Sequence, residues 1–393
     1  MSRRILPDQI VTLMDWSDAD RITRVLEPPK IVPRRPPDFV CDLSGAGLKF
    51  ISPPEIDNHA SFLVQEHEVL LFGPNFVLGN GGRWTCESRA FRKQFLRNYC
   101  TDAYKTLYQG RKPSVSLDAE PPTADFSSLK EDDVVVVDKP VFLATPLEPD
   151  NWGRWIDTVV PKAAQYHEFG MGRRFLCRTQ FSWQRRFLEL LGIDSGKQIS
   201  HDPGKTYSCS DVMSVEYSVT NLTITELESS IYSALKTRCA TMSTEPTPER
   251  IYVSRRLQSA KHPMYRALQN EAELVTALEA IGFHTIEPET LPIERQVTIF
   301  SKARSVVVLG GAALFNCAFC PPGANVVTIE SSDVFINGHS ALLSSAKLRY
   351  GIVFGAQDRT DTTEIHKRWT INVPAAIAAI RHFLPDGALG TSK

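Results

Sequence analysis

The chain has 393 residues, 42% of them apolar and 23% charged, and a formal net charge of −1. That is enough chain for two buried cores, and its near-neutral balance carries no basic field of the kind that marks a nucleic-acid binder. No apolar run approaches the roughly 18 residues a spanning helix needs. No apolar stretch of about 7–15 residues follows the N-terminus as a secretory signal would require, so a cytoplasmic location is expected.

In chain order, the first forty residues are punctuated by Pro28, Pro29, Pro33, Pro36 and Pro37. They read as an irregular arm or linker, taken here as 1–58. Over 60–85, short apolar runs alternate with Gly73-Pro74 and Gly79-Asn80-Gly81-Gly82, the turn signals of an antiparallel hairpin or meander. The β-branched run 134–137 suits a buried parallel strand. A helix is predicted over 151–167, a strand over 174–177 and a helix over 181–191 with Gly192 as its stop. Further strands are predicted near 198–200 and 211–215. The alternation of strands and helices makes 59–243 an α/β domain.

The polar stretch 241–249, with Pro246 and Pro248, reads as an interdomain linker. Beyond it, 250–254 is a strand and 263–281 a helix that Gly282 ends, with Phe283 making the apolar contact of its cap. The residues 284–287 form a short strand, Pro292 opens the next helix, and 305–309 is a buried strand. A turn at 310–313 leads into a short helix, and 325–330 is the next strand. This series predicts a doubly wound parallel sheet in 244–393.

The eight cysteines are scattered, and a chain of this size needs no disulfide staples. Cys317 and Cys320 are spaced as a CxxC but lack the second pair that a structural zinc site requires, so they read as small apolar residues in a buried helix.

The chemistry centres on Gly310-Gly311-Ala312-Ala313. Small residues between a buried strand and a helix let a ligand approach the backbone, and unpaired first-turn amides favour an anion. A diphosphate is the natural guest, although such turns also serve packing alone. Ser254-Arg255-Arg256 ends the first strand of the same sheet, where an arginine holds a phosphate in two-pronged fashion. Asn270-Glu271 and Gln296 lie on the following helices. Glu330 ends the last strand, where a carboxylate can take both ribose hydroxyls. Taken singly, each of these is more often a solvated residue than a ligand.

The string 251–330 resembles the C-terminal core of glycosyltransferase family 61. The likeness rests on Ser254-Arg255, Asn270-Glu271, Gly282-Phe283, Pro288-Glu289 with Leu291, Glu294 with Gln296, and Ala303. It continues through Gly311-Ala312, Leu314, Asn316, Phe319 and Pro321-Pro322-Gly323. Upstream, Asn151-Trp152-Gly153-Arg154-Trp155-Ile156-Asp157 resembles another family segment. Three positions depart from the pattern: Gly310 and Arg154 stand where the family has histidine, and Ala313 replaces a glycine.

The resemblance implies a GT-B architecture of two Rossmann-like doubly wound domains facing a central cleft. The donor belongs on the C-terminal domain and the acceptor on the N-terminal one. It further implies an inverting transferase, with no cofactor and no metal, using a nucleotide-diphosphate sugar, UDP-sugars foremost. The acceptor is a glycan or lipid-linked saccharide of surface polysaccharide such as capsule, which brings in peripheral membrane association at the inner face. The donor-binding set is then Ser254, Arg255, Arg256, Asn270, Glu271, Glu294, Gln296, Gly310, Gly311, Ala312, Ala313, Leu314, Asn316 and Glu330. Asn151, Trp152 and Trp155 fall on the acceptor side.

An inverting displacement needs one base to take the acceptor proton. Asp157 is the candidate, with Arg154 on the same helix face three residues earlier; a plain surface salt bridge is the competing reading. Asp150 reads as a helix cap. Five arginines, Arg173, Arg174, Arg178, Arg185 and Arg186, form a basic stretch that suits an acidic acceptor or a solvated helix face. Two other functions stay in view. Asp18-Ala19-Asp20 is a DxD that would serve a metal-dependent transferase, although it lies in the polar arm. The missing histidines would suit a non-catalytic binding protein or scaffold of the same fold.

Overall fold

A computed structural model of the chain describes residues 10–15, 21–28, 32–47, 55–56, 60–88, 92–101, 110, 112–217, 224–243, 245–261, 266–331, 336–362 and 367–384. The chain divides into two compact units, one drawn from 1–32 and 57–221 and the other from 33–56 and 222–393.

Unit 1 is built on a mixed sheet. Its strands run in the order Gln198–Ser200, Arg174–Cys177, Val141–Leu143, Thr206–Tyr217, Ser61–Phe72, Phe76–Leu78, Arg83–Thr85 and Met14–Asp15. The first four are parallel, and Val134–Val137 adds to them alongside the start of Thr206–Tyr217. From Thr206–Tyr217 through Arg83–Thr85 the sheet is antiparallel. The turn residues at 73–75 set this meander: Gly73 has φ +59, a conformation that glycine adopts without the penalty of a Cβ. The sheet thus joins the antiparallel meander expected over 60–85 to a parallel half, and is not doubly wound throughout. Hairpin connections of a few residues can join only antiparallel strands, and the runs from 61 to 85 are too close together for a crossover.

Unit 2 has the doubly wound parallel sheet. Its order is His284–Ile286, Arg250–Val253, Ser305–Leu309, Asn325–Glu330, Arg349–Phe354 and Phe39–Asp42, and each adjacent pair is parallel. Ser305–Leu309 and Asn325–Glu330 are buried along their whole length, which is why they read as unbroken β-branched runs. On one face, Tyr252, Val307, Leu309, Val327 and Ile329 pack with Leu274 and Leu278 of helix Glu271–Glu279 and Ala376 and Ile380 of helix Val373–Phe383. Burying each such aliphatic side chain contributes about 1.5–3 kcal/mol. The helices Glu226–Met242 and Ile293–Lys302 pack against one another and against the 3₁₀ helix Ala312–Phe319.

Three organisational expectations change. The arm is not irregular throughout where it is described. Ile22–Glu27 pairs with Ser61–Phe72 in unit 1, and Phe39–Asp42 forms the edge of the unit 2 sheet. Its prolines leave short stretches long enough to satisfy their backbone groups on a neighbouring edge. The division falls at 221/222 rather than 243/244, because helix Glu226–Met242 packs in unit 2. That helix opens on a capping box, with Glu228 N donating to Thr225 Oγ1 and Thr225 N to Glu228 Oε2. Finally, the helix expected over 263–281 is described as helix only over Glu271–Glu279, with a separate short helix at Arg256–Lys261. Gly282 does end it, at φ +84, and Phe283 N reaches back to Leu278 O as a cap should.

Candidate functional site

In unit 2 the chain leaves Arg250–Val253 for the neighbouring strand His284–Ile286. It then returns across the sheet to Ser305–Leu309 on the other side of Arg250–Val253. This reversal is a topological switch point, and in such sheets ligands bind beyond the carboxyl ends of the strands there. The two carboxyl ends carry Ser254-Arg255 and Gly310-Gly311.

The turn needs both glycines. A Cβ on Gly310 would collide with the Glu330 carboxylate. Gly311 has φ +146 and ψ −168, a region that only glycine occupies freely. A Cβ there would meet Arg255 Nη1 at 2.7 Å and lie 3.6 Å from Arg266 Nη2. Two guanidinium groups therefore flank the backbone of Gly311. Arg255 Nη1 also donates to Gly310 O at 2.6 Å, which ties the ends of the two strands together. Ala312 and Ala313 follow, half-buried, and their amides lie in the first turn of the 3₁₀ helix, where no intrahelical acceptor exists. Small residues, two positive charges and first-turn amides come together at this turn.

Glu271 organises this site from beneath. It is buried, and its Oε1 accepts from Tyr252 Oη at 2.9 Å, Ser254 Oγ at 2.8 Å and Arg255 N at 2.8 Å. Ser254 and Glu271 thus hold the strand end that aims Arg255. Asn270 is committed elsewhere: its amide donates to Ile371 O at 2.8 Å and accepts from Ile371 N at 3.1 Å. Gln296 donates to Leu291 O at 3.0 Å and steadies the loop before its helix. Arg256 is exposed and pairs with Glu287 at 3.3 Å. Glu294 sits half-buried in the first helical turn, while Leu314 and Asn316 are buried within the 3₁₀ helix. Glu330 is also buried, and its Oε1 accepts from His339 Nδ1 at 2.9 Å.

In unit 1 the helix carrying Asp157 widens into a π turn at Trp155–Val159, where Val160 N bonds to Trp155 O. Pro161 supplies the cause. It has no N–H to give the carbonyl of Asp157, so α-helical pairing fails at that point. Asp157 is buried; its Oδ2 accepts from Arg154 Nη1 at 2.9 Å and its Oδ1 from Thr158 Oγ1 at 2.8 Å. Burial lifts its carboxyl to about 6 against the pull of Arg154, and the negative charge of Glu87 adds to the rise. Glu87 itself pairs with the buried Lys162 at 3.0 Å. A carboxyl that gains and loses its proton near pH 6 has the range a general base needs.

The neighbouring acceptor-side residues are placed differently from expectation. Asn151 is the helix cap: its Oδ1 accepts from Gly153 N at 2.8 Å and its Nδ2 donates to Glu148. Asp150, expected as the cap, instead accepts from Arg178 at 2.6 Å. Trp155 is wholly buried, stacked on Phe187 with Nε1 donating to Pro149 O. A side chain with no exposed surface cannot line an acceptor site, so Trp155 is a core residue. Trp152 is half-buried and stacks on Phe187.

The family model described as Glycosyltransferase 61 matches residues 141–327. The match takes in just under half of the chain and supports membership of that family. The chain is accordingly a glycosyltransferase, with a sugar donor and a glycan acceptor in general. The matched span takes in both Asp157 and the Gly310-Gly311 turn. A search of curated proteins found no match.

Three features of this glycosyltransferase were not legible in its sequence or read differently there. Arg266 and His339 come from a loop and a helix with no motif around them, and folding alone brings Arg266 to the turn and His339 to Glu330. The basic stretch is largely neutralised: Arg173 pairs with Asp211 at 2.8 Å, Arg178 with Asp150, and Arg186 with Glu189 at 3.0 Å, while Arg185 donates to Thr179 O. Among the described residues no cluster of three or more His, Cys, Asp or Glu is arranged to hold a metal. Cys317 and Cys320 are buried, and the DxD at Asp18 and Asp20 lies outside the described residues.

Proposed function

We propose that this transferase moves a sugar, with inversion and without a metal, from a nucleoside-diphosphate sugar to a hydroxyl of a glycan or lipid-linked saccharide. UDP-sugars are the first donors to test, and surface-polysaccharide synthesis on the cytoplasmic side is the setting. In this GT-B reading unit 2 takes the donor, and unit 1 supplies the acceptor side and the base. The carrying observation is the pair of guanidiniums, Arg255 and Arg266, beside Gly311 at the switch point. Positive charge held there stabilises a departing diphosphate in the way a divalent ion does in other transferases.

The steps balance as one displacement. The acceptor hydroxyl gives its proton to Asp157 as its oxygen bonds to the anomeric carbon. The bond from that carbon to the diphosphate breaks on the opposite face. The leaving charge falls on Arg255, Arg266 and the amides of Ala312 and Ala313. Titration calorimetry with UDP, and with GDP in parallel, tests the donor site. Replacing Arg255 with alanine is expected to weaken diphosphate binding by about tenfold to a hundredfold, the usual scale for a charge-assisted contact of about 1.5–3 kcal/mol. Equal affinity in the R255A variant would sink the assignment.

A further inference from the structure

Arg266 has φ +50. A residue with a Cβ takes up that left-handed backbone only at a cost, and keeps it where its surroundings impose it. The contacts that impose it come from Trp369, far along the chain. The indole Nε1 donates to Arg266 O at 2.9 Å, and Trp369 N donates to Ala267 O at 3.1 Å. Gln269 N donates in return to Trp369 O at 2.9 Å. Asn270 continues the pairing, its side chain donating to Ile371 O and accepting from Ile371 N. Residues 266–270 are thus laid along 369–371, with Leu268 and Trp369 as parallel partners.

Trp369 is itself fixed. Trp369–Thr370 pairs antiparallel with Ala356–Gln357, which follows the carboxyl end of strand Arg349–Phe354. A Cβ on Gly355 would come within 2.5 Å of the indole ring, so the ring lies directly on that backbone. The side chain is buried and packs with Leu268 and Ile371. Arg368, the residue before it, pairs with Asp358 at 3.2 Å and with Asp361 at 3.4 Å. The indole therefore ties the loop that carries Arg266 to the end of a strand in the unit 2 sheet. Trp369 lies beyond the residues that match the family model.

We propose that Trp369 is a positioning residue for the donor: its indole N–H and its backbone hold residues 266–270 so that the Arg266 guanidinium stands beside Gly311 and meets the diphosphate. This rests on the donor-site reading given above. When the indole N–H is removed, Arg266 O loses that bond, the left-handed backbone relaxes, and the guanidinium leaves the turn. Arg255 is held separately, through its bond to Gly310 O, and stays in place.

A double-mutant cycle, read by titration calorimetry with UDP and with GDP in parallel, tests this. W369F keeps a ring over Gly355 and removes the indole N–H. It should weaken diphosphate binding by about threefold to tenfold, the scale of one hydrogen bond. In an R266A background the same change should cost nothing further, whereas in an R255A background its full effect should remain, because linked residues are non-additive and independent ones add. A general loosening of the site would weaken all three backgrounds alike. N270A cuts the same pairing at Ile371; it should show the same pattern, and it carries the cycle should W369F fail to fold. A folded W369F that binds as wild type does, or that loses as much affinity in R266A as in wild type, overturns the inference alone. Undiminished binding by R266A, or failure of folded wild type to bind either diphosphate, overturns the donor-site reading of Arg266 and this inference with it.

Discussion

Around Gly311, unit 2 excludes side chains and gathers positive charge. Around Asp157, unit 1 packs side chains closely and buries a carboxyl among them. In the first region the backbone is the instrument: a glycine-only conformation and first-turn amides leave space at the turn, and the proposed diphosphate would meet Arg255 and Arg266 there. In the second a side chain is the instrument, and its proton affinity is raised by removal from water. Stabilising a leaving anion requires fixed charge that does not titrate, which arginine supplies. Accepting a proton near neutrality requires a group that does titrate, which a buried aspartate becomes.

The largest expected effect tests whether these roles are separate. D157N should lower kcat by about 10²- to 10⁴-fold, the usual worth of a general base, while leaving diphosphate affinity as in wild type. Unchanged turnover would remove Asp157 from the chemistry. G311A should do the reverse. The forced backbone conformation costs about 1–3 kcal/mol and the new methyl displaces Arg255, so diphosphate affinity falls by about tenfold or more. A G311A chain that binds diphosphate normally would deny the turn its role.

The pH profile sharpens the contrast. Asp157 acts as a base only when deprotonated, so kcat/KM should fall as pH drops through about 6, approaching tenfold per unit below it. An unaltered acid limb in the residual activity of D157N would assign that limb to another group. The smallest effect concerns Asn151. Its replacement by alanine removes a helix cap and should cost about 0.5–2 kcal/mol of stability in a thermal or denaturant melt, with acceptor KM unchanged. A raised acceptor KM at equal stability would return Asn151 to the acceptor site.

Much of unit 2 was legible before folding. The β-branched runs at 305–309 and 325–330 announce buried parallel strands, and the glycine pair and Ser254-Arg255 mark the two strand ends that meet at the switch point. Helix Glu226–Met242 was not read from the sequence, although the Thr225 and Glu228 capping box that opens it is a local signal. The contacts that Trp155, Asn151 and Asn270 make within the protein were not legible, because a polar or aromatic residue near a motif looks the same whether it faces a ligand or a backbone carbonyl.

The sequence by itself carried the family resemblance in its motif residues, and it determined the order of strands and helices in unit 2 and the residue types at the turn, since these last depend on periodicity and local conformational preference. Only the tertiary structure decided that Arg266 reaches that turn, that Glu330 fills the space over Gly310 and meets His339, that the basic stretch is paired off, and that the N-terminal segment is shared between two sheets. Each of these is a through-space relation between residues far apart along the chain. Charge pairing and burial act over distances of a few ångströms, and only the folded chain fixes those distances.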